Sequence, residues 1–167
     1  MNGAITPQVR PADLYDLVQA ERWLELLDHY AQDPMGGGDG LSDFAKLNLV
    51  ASIREVPGYH GAIAWLGGEA VGLVNCFAGF STFAAKPLLN IHDIVVHAEV
   101  RGRGIGQALL AWVEQRARDL GCCKLTLEVL SNNTRAMASY EQAGFAPYVL
   151  DPQAGHALFM QKYLEEV

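Results

Sequence analysis

Arg101-Gly102-Arg103-Gly104-Ile105-Gly106 constrains this chain more than any other segment, because its two flanks follow different periods. Before it runs Leu88-Leu89-Asn90-Ile91-His92-Asp93-Ile94-Val95-Val96, rich in aliphatic and β-branched residues, which reads as a buried strand. After it, Ile105, Leu109, Trp112, Val113, Ala117 and Leu120 fall on one side of a 3.6-period helix. Strand, glycine turn and helix in that order aim the first helical N–H groups out of the turn, beside the positive end of the helix dipole. Such a turn suits an anion, since glycines let a diphosphate approach the main chain without a Cβ in the way. Arg101 and Arg103 add positive charge. A tight connection that holds nothing is the alternative, and the arginines favour the anion.

Common phosphate motifs do not fit. A P-loop needs Gly-Lys followed by Ser or Thr, whereas this turn continues Gly106-Gln107-Ala108. The dinucleotide fingerprint needs a third glycine, but the corresponding position is Gln107 or Leu109, depending on the starting glycine. The spacing present, Arg101-x-x-Gly104-x-Gly106 leading into Gln107, resembles the acetyl-CoA signature of the GNAT superfamily of N-acetyltransferases. In that family the turn holds the CoA pyrophosphate, so Arg101, Gly102, Arg103, Gly104, Ile105, Gly106 and Gln107 become the expected cofactor-binding residues.

A second motif strengthens the resemblance. Asn133-Thr134-Arg135-Ala136-Met137-Ala138-Ser139-Tyr140-Glu141-Gln142-Ala143-Gly144-Phe145 is similar to the other GNAT signature, Asn-x-x-Ala-x-x-x-Tyr-x-x-x-Gly-Phe. Asn133 can cap a helix. By resemblance Asn133 bonds the pantetheine arm, Ala136 leaves room for it, and Tyr140 protonates the departing thiolate. Tyr140 lies seven residues beyond Asn133, two turns along the same helical face. A tyrosine hydroxyl is protonated at neutral pH and can donate, which suits that task. The plainer role is an aromatic ring packing the helix on a sheet. The resemblance also implies that the strand before the turn splays from the next parallel strand. Main-chain groups around Ile94, Val95 and Val96 would then pair with pantetheine and stabilise the developing oxyanion.

An amine acceptor must lose a proton before attacking a thioester, and His92, Asp93 and Glu128 are the candidates to assist. Histidine titrates in the useful range. Neighbours on a regular strand face opposite ways, so His92 and Asp93 share a cleft only if a bulge intervenes. Locally the pattern resembles diamine (spermidine/spermine-type) acetyltransferases, which carry glutamate at the His92 position and aspartate at the next. This chain keeps Asp93 and replaces the glutamate. We favour His92 as base, through water, with Asp93 and Glu128 on the substrate side. A structural hydrogen bond is the alternative for each.

At 167 residues, with 50% apolar and 19% charged residues, the chain is expected to be one globular domain spanning 1–167. A net charge of −7 argues against nucleic acid and mildly favours a cationic acceptor. No apolar run reaches membrane-spanning length, Met1-Asn2-Gly3-Ala4 lacks a signal pattern, and three cysteines, two of them adjacent, do not form a disulfide framework. A cytoplasmic location is the expectation. No metal-ligand spacing or Gly-x-Ser-x-Gly motif occurs.

Along the chain we expect an edge strand near Ile5–Val9. A helix opening at Pro11-Ala12-Asp13 should follow, with a Leu14, Leu17, Val18, Leu24, Leu27 stripe. Met35–Gly40 reads as a flexible glycine loop or a cleft border, and Ser42 caps a second helix carrying Phe44, Leu47, Val50 and Ile53. Tyr59–Leu66 and Ala70–Phe80 form a hairpin over Gly67-Gly68, Lys124–Leu130 is a strand, and Ala157–Tyr163 a last one. The fold class is then mixed α/β of the GNAT type, with six to seven strands, helices on both faces and a splayed acetyl-CoA slot. The function implied is N-acetyl transfer to a small-molecule amine such as a polyamine or amino-acid-like amine, in a ternary complex. A protein or peptide N-acetyltransferase, or a non-catalytic CoA-binding regulatory module, is the alternative, and a homodimer is compatible.

Overall fold

Ala62, Ile63 and Ala64 are all fully buried, so the strand that carries them is covered on both faces. The computed structural model describes residues 6–155 and 157–164. In chain order it contains β1 (Gln8–Pro11), α1 (Leu17–Gln32), α2 (Asp43–Arg54), β2 (Tyr59–Leu66), β3 (Glu69–Ser81), β4 (Lys86–Val96), a 3-10 turn at Ala98–Val100, α3 (Ile105–Asp119), β5 (Leu125–Leu127) and α4 (Thr134–Gln142). The sheet order is β1-β2-β3-β4-β5, antiparallel except for the parallel β4–β5 pair. Helices α1 and α2 cover one face, where Trp23, Leu26, Leu27 and Ile53 pack on Ile63, Leu73 and Val95. On the other face Ile105, Leu109 and Val113 of α3 pack on Ala62, Val74, Leu89 and Ile91, and Tyr140 of α4 joins that layer.

Several elements differ from the sequence reading. Among the described residues five strands form, not six to seven, and 157–163 has no regular structure. Leu158, Phe159 and Met160 are exposed there: strand-forming residues make no strand without a neighbouring edge in register. Ile5 lies outside the described residues, and the edge strand runs from Gln8 to Pro11. Helix α1 starts later than Pro11–Asp13, because Asp13 accepts from the Tyr15 N–H in a local turn and Asp16 is the cap, accepting from Val18 and Gln19. Leu17 and Val18 are therefore exposed, and Ala20, Trp23, Leu26 and Leu27 form the buried stripe. Ser42 caps α2 as expected, yet Phe44 and Leu47 face solvent. Strand β5 stops at Leu127, leaving Glu128 beyond it.

The glycine segment Met35–Gly40 folds back on the end of α1. Gly38 and Gly40 N–H groups both bond the Ala31 carbonyl, and Leu41 N–H bonds the Asp28 carboxylate at 2.8 Å. Near that helix end His29 stacks on His97, with ring centroids 4.5 Å apart, and its Nε2 is buried without a partner. Burial first, then His97 and Arg101, hold the His29 pKa below the ordinary histidine value, and burial does the same to His60. The native state thus favours neutral imidazoles, while the unfolded chain takes up protons near pH 6.5. Stability is full above that pH and falls as pH drops through it. Thermal midpoints measured from pH 8 to pH 5 should decline below about pH 6.5, and His29→Phe should flatten part of that decline.

Candidate active site

Strand β4 is paired along its length on one edge and only briefly on the other. Against β3 it is matched from Lys86 to Val96, whereas β5 meets it only at Leu89, Ile91 and the Asn90 between them. Beyond Ile91 and Leu127 the parallel strands part. Ile94, Val95 and Val96 still pair with Val74, Leu73 and Gly72, and on their other side they line a cleft of about 620 Å³. Asn90 marks the last shared stretch, donating from its amide to the Thr126 hydroxyl at 2.9 Å.

The glycine turn forms one end of this cleft. Gly104 has φ +78° and is the N-cap of α3, and a Cβ built there meets nothing within 4 Å, so its vacant side opens on free space. Gly102, Gly104, Ile105, Gly106 and Gln107 all line the cleft. The first N–H groups of α3 have no side-chain cap, which leaves them free to bind an anion. Arg101 also lines the cleft, but its guanidinium is engaged: it donates to the Asp33 carboxylate at 3.2 Å and to the Val96 carbonyl at 3.1 Å. Arg103 is exposed and is not part of the lining. On the facing wall Asn133 caps α4, its Oδ1 accepting from the Ala136 N–H at 3.2 Å, and both residues line the cleft. The Gln107 amide donates to the Ser139 carbonyl and hydroxyl, which fixes α4 against α3.

Next to Ile94 on β4, but outside the lining of the cleft, His92 and Asp93 come to the same face of the sheet. Asn75 pairs with Asp93 and Cys76 with Ile91, so His92 is the extra residue of a β-bulge. His92 meets the Phe77 ring edge-on at 5.6 Å, while Asp93 accepts a hydrogen bond from the Asn75 amide at 3.0 Å. Strict alternation would have separated them. Glu128 is exposed beyond β5. Tyr140 packs against Phe145 and the core, with its hydroxyl pKa pushed up to about 12 by burial and by Tyr30.

Three further residues belong to the site without having been singled out from the sequence. Tyr30 lines the cleft, and its own hydroxyl pKa is raised by burial and then by the Asp93 charge. Its signal was present: Trp23, Leu26, Leu27 and Tyr30 fall at i, i+3, i+4 and i+7 on α1. Asp33, the partner of Arg101, lies just past that helix, outside any motif. Asn75 is a lone polar residue in the apolar run Val71–Phe77, the pattern of a buried amide with assigned partners.

Among the described residues no helix is long and apolar enough to cross a membrane, and Cys76, Cys122 and Cys123 are all free thiols.

The model of the acetyltransferase (GNAT) family matches residues 21–145. The chain is 34% identical over 116 residues to thialysine N-epsilon-acetyltransferase of Bos taurus, covering 62% of this chain and 68% of that one. It is 36% identical over 102 residues to streptothricin acetyltransferase of Streptomyces lavendulae, covering 54% of each. In fold it resembles the aminoglycoside N-acetyltransferase AAC(6')-Iy solved in complex with CoA, with TM-score 0.75 at 18% identity over 97% of this chain and 98% of that one. With the glycine turn of the first motif and Asn133 and Ala136 of the second lining one cleft, this chain belongs to the GNAT acetyltransferase family and is an acyl-CoA-dependent N-acetyltransferase.

Proposed function

We propose that the protein transfers an acetyl group from acetyl-CoA to the primary amine of a small molecule, by direct attack with both substrates bound together. The observation that carries the reading is the one cleft bounded by the uncapped start of α3, the unpaired edge of β4 and the Asn133–Ala136 turn. A ligand with a diphosphate at one end and an extended amide-bearing arm fits those three walls. Relatives named for thialysine and streptothricin, small acceptors, support the substrate class.

Bound acetyl-CoA supplies an activated acetyl thioester; the rest is the work of the chain. The N–H groups from Ile105 to Gln107 receive the diphosphate, with Arg101 and Arg103 adding charge. Main-chain groups of Ile94, Val95 and Val96 orient the arm and the acetyl carbonyl, and Asn133 and Ala136 bound its path. Asp93 holds the acceptor as an ammonium, and His92 on the same face of the bulge takes its proton through water. Glu128 extends the acidic rim on the acceptor side. Tyr140, with its pKa near 12, keeps its proton until the sulfur departs. Acetyl transfer to thialysine, spermidine, an amino acid, an aminoglycoside and a peptide with a free N-terminus, followed by release of free thiol, tests the class. Turnover of the small amines over the peptide supports the reading. Turnover of the peptide alone overturns the substrate class, and no turnover overturns catalysis.

Gly104→Val should abolish acetyl-CoA binding, because a β-branched residue is strained at φ +78° and its side chain enters the space left for the diphosphate. Calorimetry on a variant with native circular dichroism checks this. Tyr140→Phe should fold and bind acetyl-CoA, since the ring still packs on Phe145. Its kcat should fall about 10²–10⁴-fold, the usual worth of a positioned general acid. Steady-state rates decide, and an unchanged kcat returns Tyr140 to a packing role.

A further inference from the structure

Asn75 is 1% exposed and is the one buried polar side chain among the described core residues. It sits on β3 opposite Asp93, at the register shift that frees His92. Its Oδ1 accepts two hydrogen bonds, from the Trp23 indole N–H at 2.9 Å and from the Tyr59 hydroxyl at 2.9 Å. Its Nδ2 donates to Asp93 Oδ2 at 3.0 Å. The orientation of this amide is not arbitrary. An indole nitrogen can only donate, so the amide oxygen must face Trp23 and the amide nitrogen must face Asp93. Burial raises the Tyr59 pKa above the ordinary tyrosine value, which keeps that hydroxyl a donor too. Two donors from α1 and β2 therefore hold the amide, and the amide holds a carboxylate oxygen.

Apolar residues at 75, 23 and 59 together would fill this place without any polar atom to satisfy, and a satisfied buried network is no more stabilising than apolar packing of the same shape. What the network adds is direction. It runs from the core outward and ends on the group beside the cleft, and each link polarises the next. We propose that Asn75 is a positioning residue for the acceptor: it fixes Asp93 as an oriented carboxylate acceptor at the bulge, so that the site selects a primary ammonium. This rests on the reading of Asp93 as the ammonium-binding group. Asn75 itself is too deep to touch either substrate and acts only through Asp93.

The test is steady-state kinetics on Asn75→Ser, Asp93→Asn and the double variant, with thialysine as acceptor or the panel amine that outruns it. Asn75→Ser should raise the amine KM about tenfold, as loss of a hydrogen bond to a charged group does, with the acetyl-CoA KM unchanged. Asp93→Asn should raise the amine KM at least as much. Adding Asn75→Ser to Asp93→Asn should then change nothing further, because the carboxylate it orients is gone. Additive effects, an equal rise in the acetyl-CoA KM, or an unchanged amine KM in folded Asn75→Ser each overturn the proposal. If Asp93→Asn leaves the amine KM unchanged, the reading of Asp93 falls and this proposal with it. If Asp93→Asn raises it and Asn75→Ser does not, only the proposal falls. Should Asn75→Ser fail to fold, Tyr59→Phe removes one of the two bonds that orient the amide and must show a smaller rise with the same non-additivity.

Discussion

Everything at the site depends on β4 being matched along its whole length by β3 and only briefly by β5. A strand exposes main-chain donors and acceptors along both edges, and leaving one edge free costs stability unless something else bonds there. Here the freed stretch is Ile94 to Val96, and it faces a cleft rather than open solvent. The side chains of that stretch alternate between the two cores, Val95 toward α1 and Ile94 and Val96 toward α3. The strand is therefore rigid although one edge is unpaired. That combination, a free edge on a fixed strand, is what a ligand bound through main-chain hydrogen bonds requires.

Electrostatics divide the cleft. At the turn, the start of α3 and two arginines favour an anion, yet Arg101 already has a carboxylate partner in Asp33. The pair is partly exposed, so its worth to stability is small, and its main effect is to anchor the end of α1 beside the glycine turn. The Met35–Gly40 segment follows directly and places Met35 in the same wall. A stretch that looks flexible from its glycines is tied back by main-chain bonds to Ala31 and by Asp28. Tyr30 lines the cleft away from the turn, and burial first, then the nearby Asp93 charge, raise the pKa of its hydroxyl. Burial, and after it Tyr30, raise that of Tyr140. Both hydroxyls therefore stay protonated at neutral pH.

The sequence by itself determined the strand–turn–helix unit, the two signature motifs, the caps Ser42 and Asn133, and the β2–β3 hairpin. Each of these is written in local chemistry: period, glycine, a short polar side chain at a helix start. It misplaced the start of α1, because two aspartates compete for the local N–H groups and only the backbone path selects Asp16. It also promised a strand at 157–163, where apolar residues find no edge to pair with. The placement of His92 beside Asp93 lay beyond local reading, since a bulge is a property of two strands in register and not of either alone. Asp33 is ordinary in its own segment and acquires a role only through Arg101, 68 residues away. Tyr30 and Asn75 are marked locally, as a core-facing position and a buried amide, but what they meet, the cleft for Tyr30 and Asp93 18 residues on for Asn75, is brought to them only by the packed sheet.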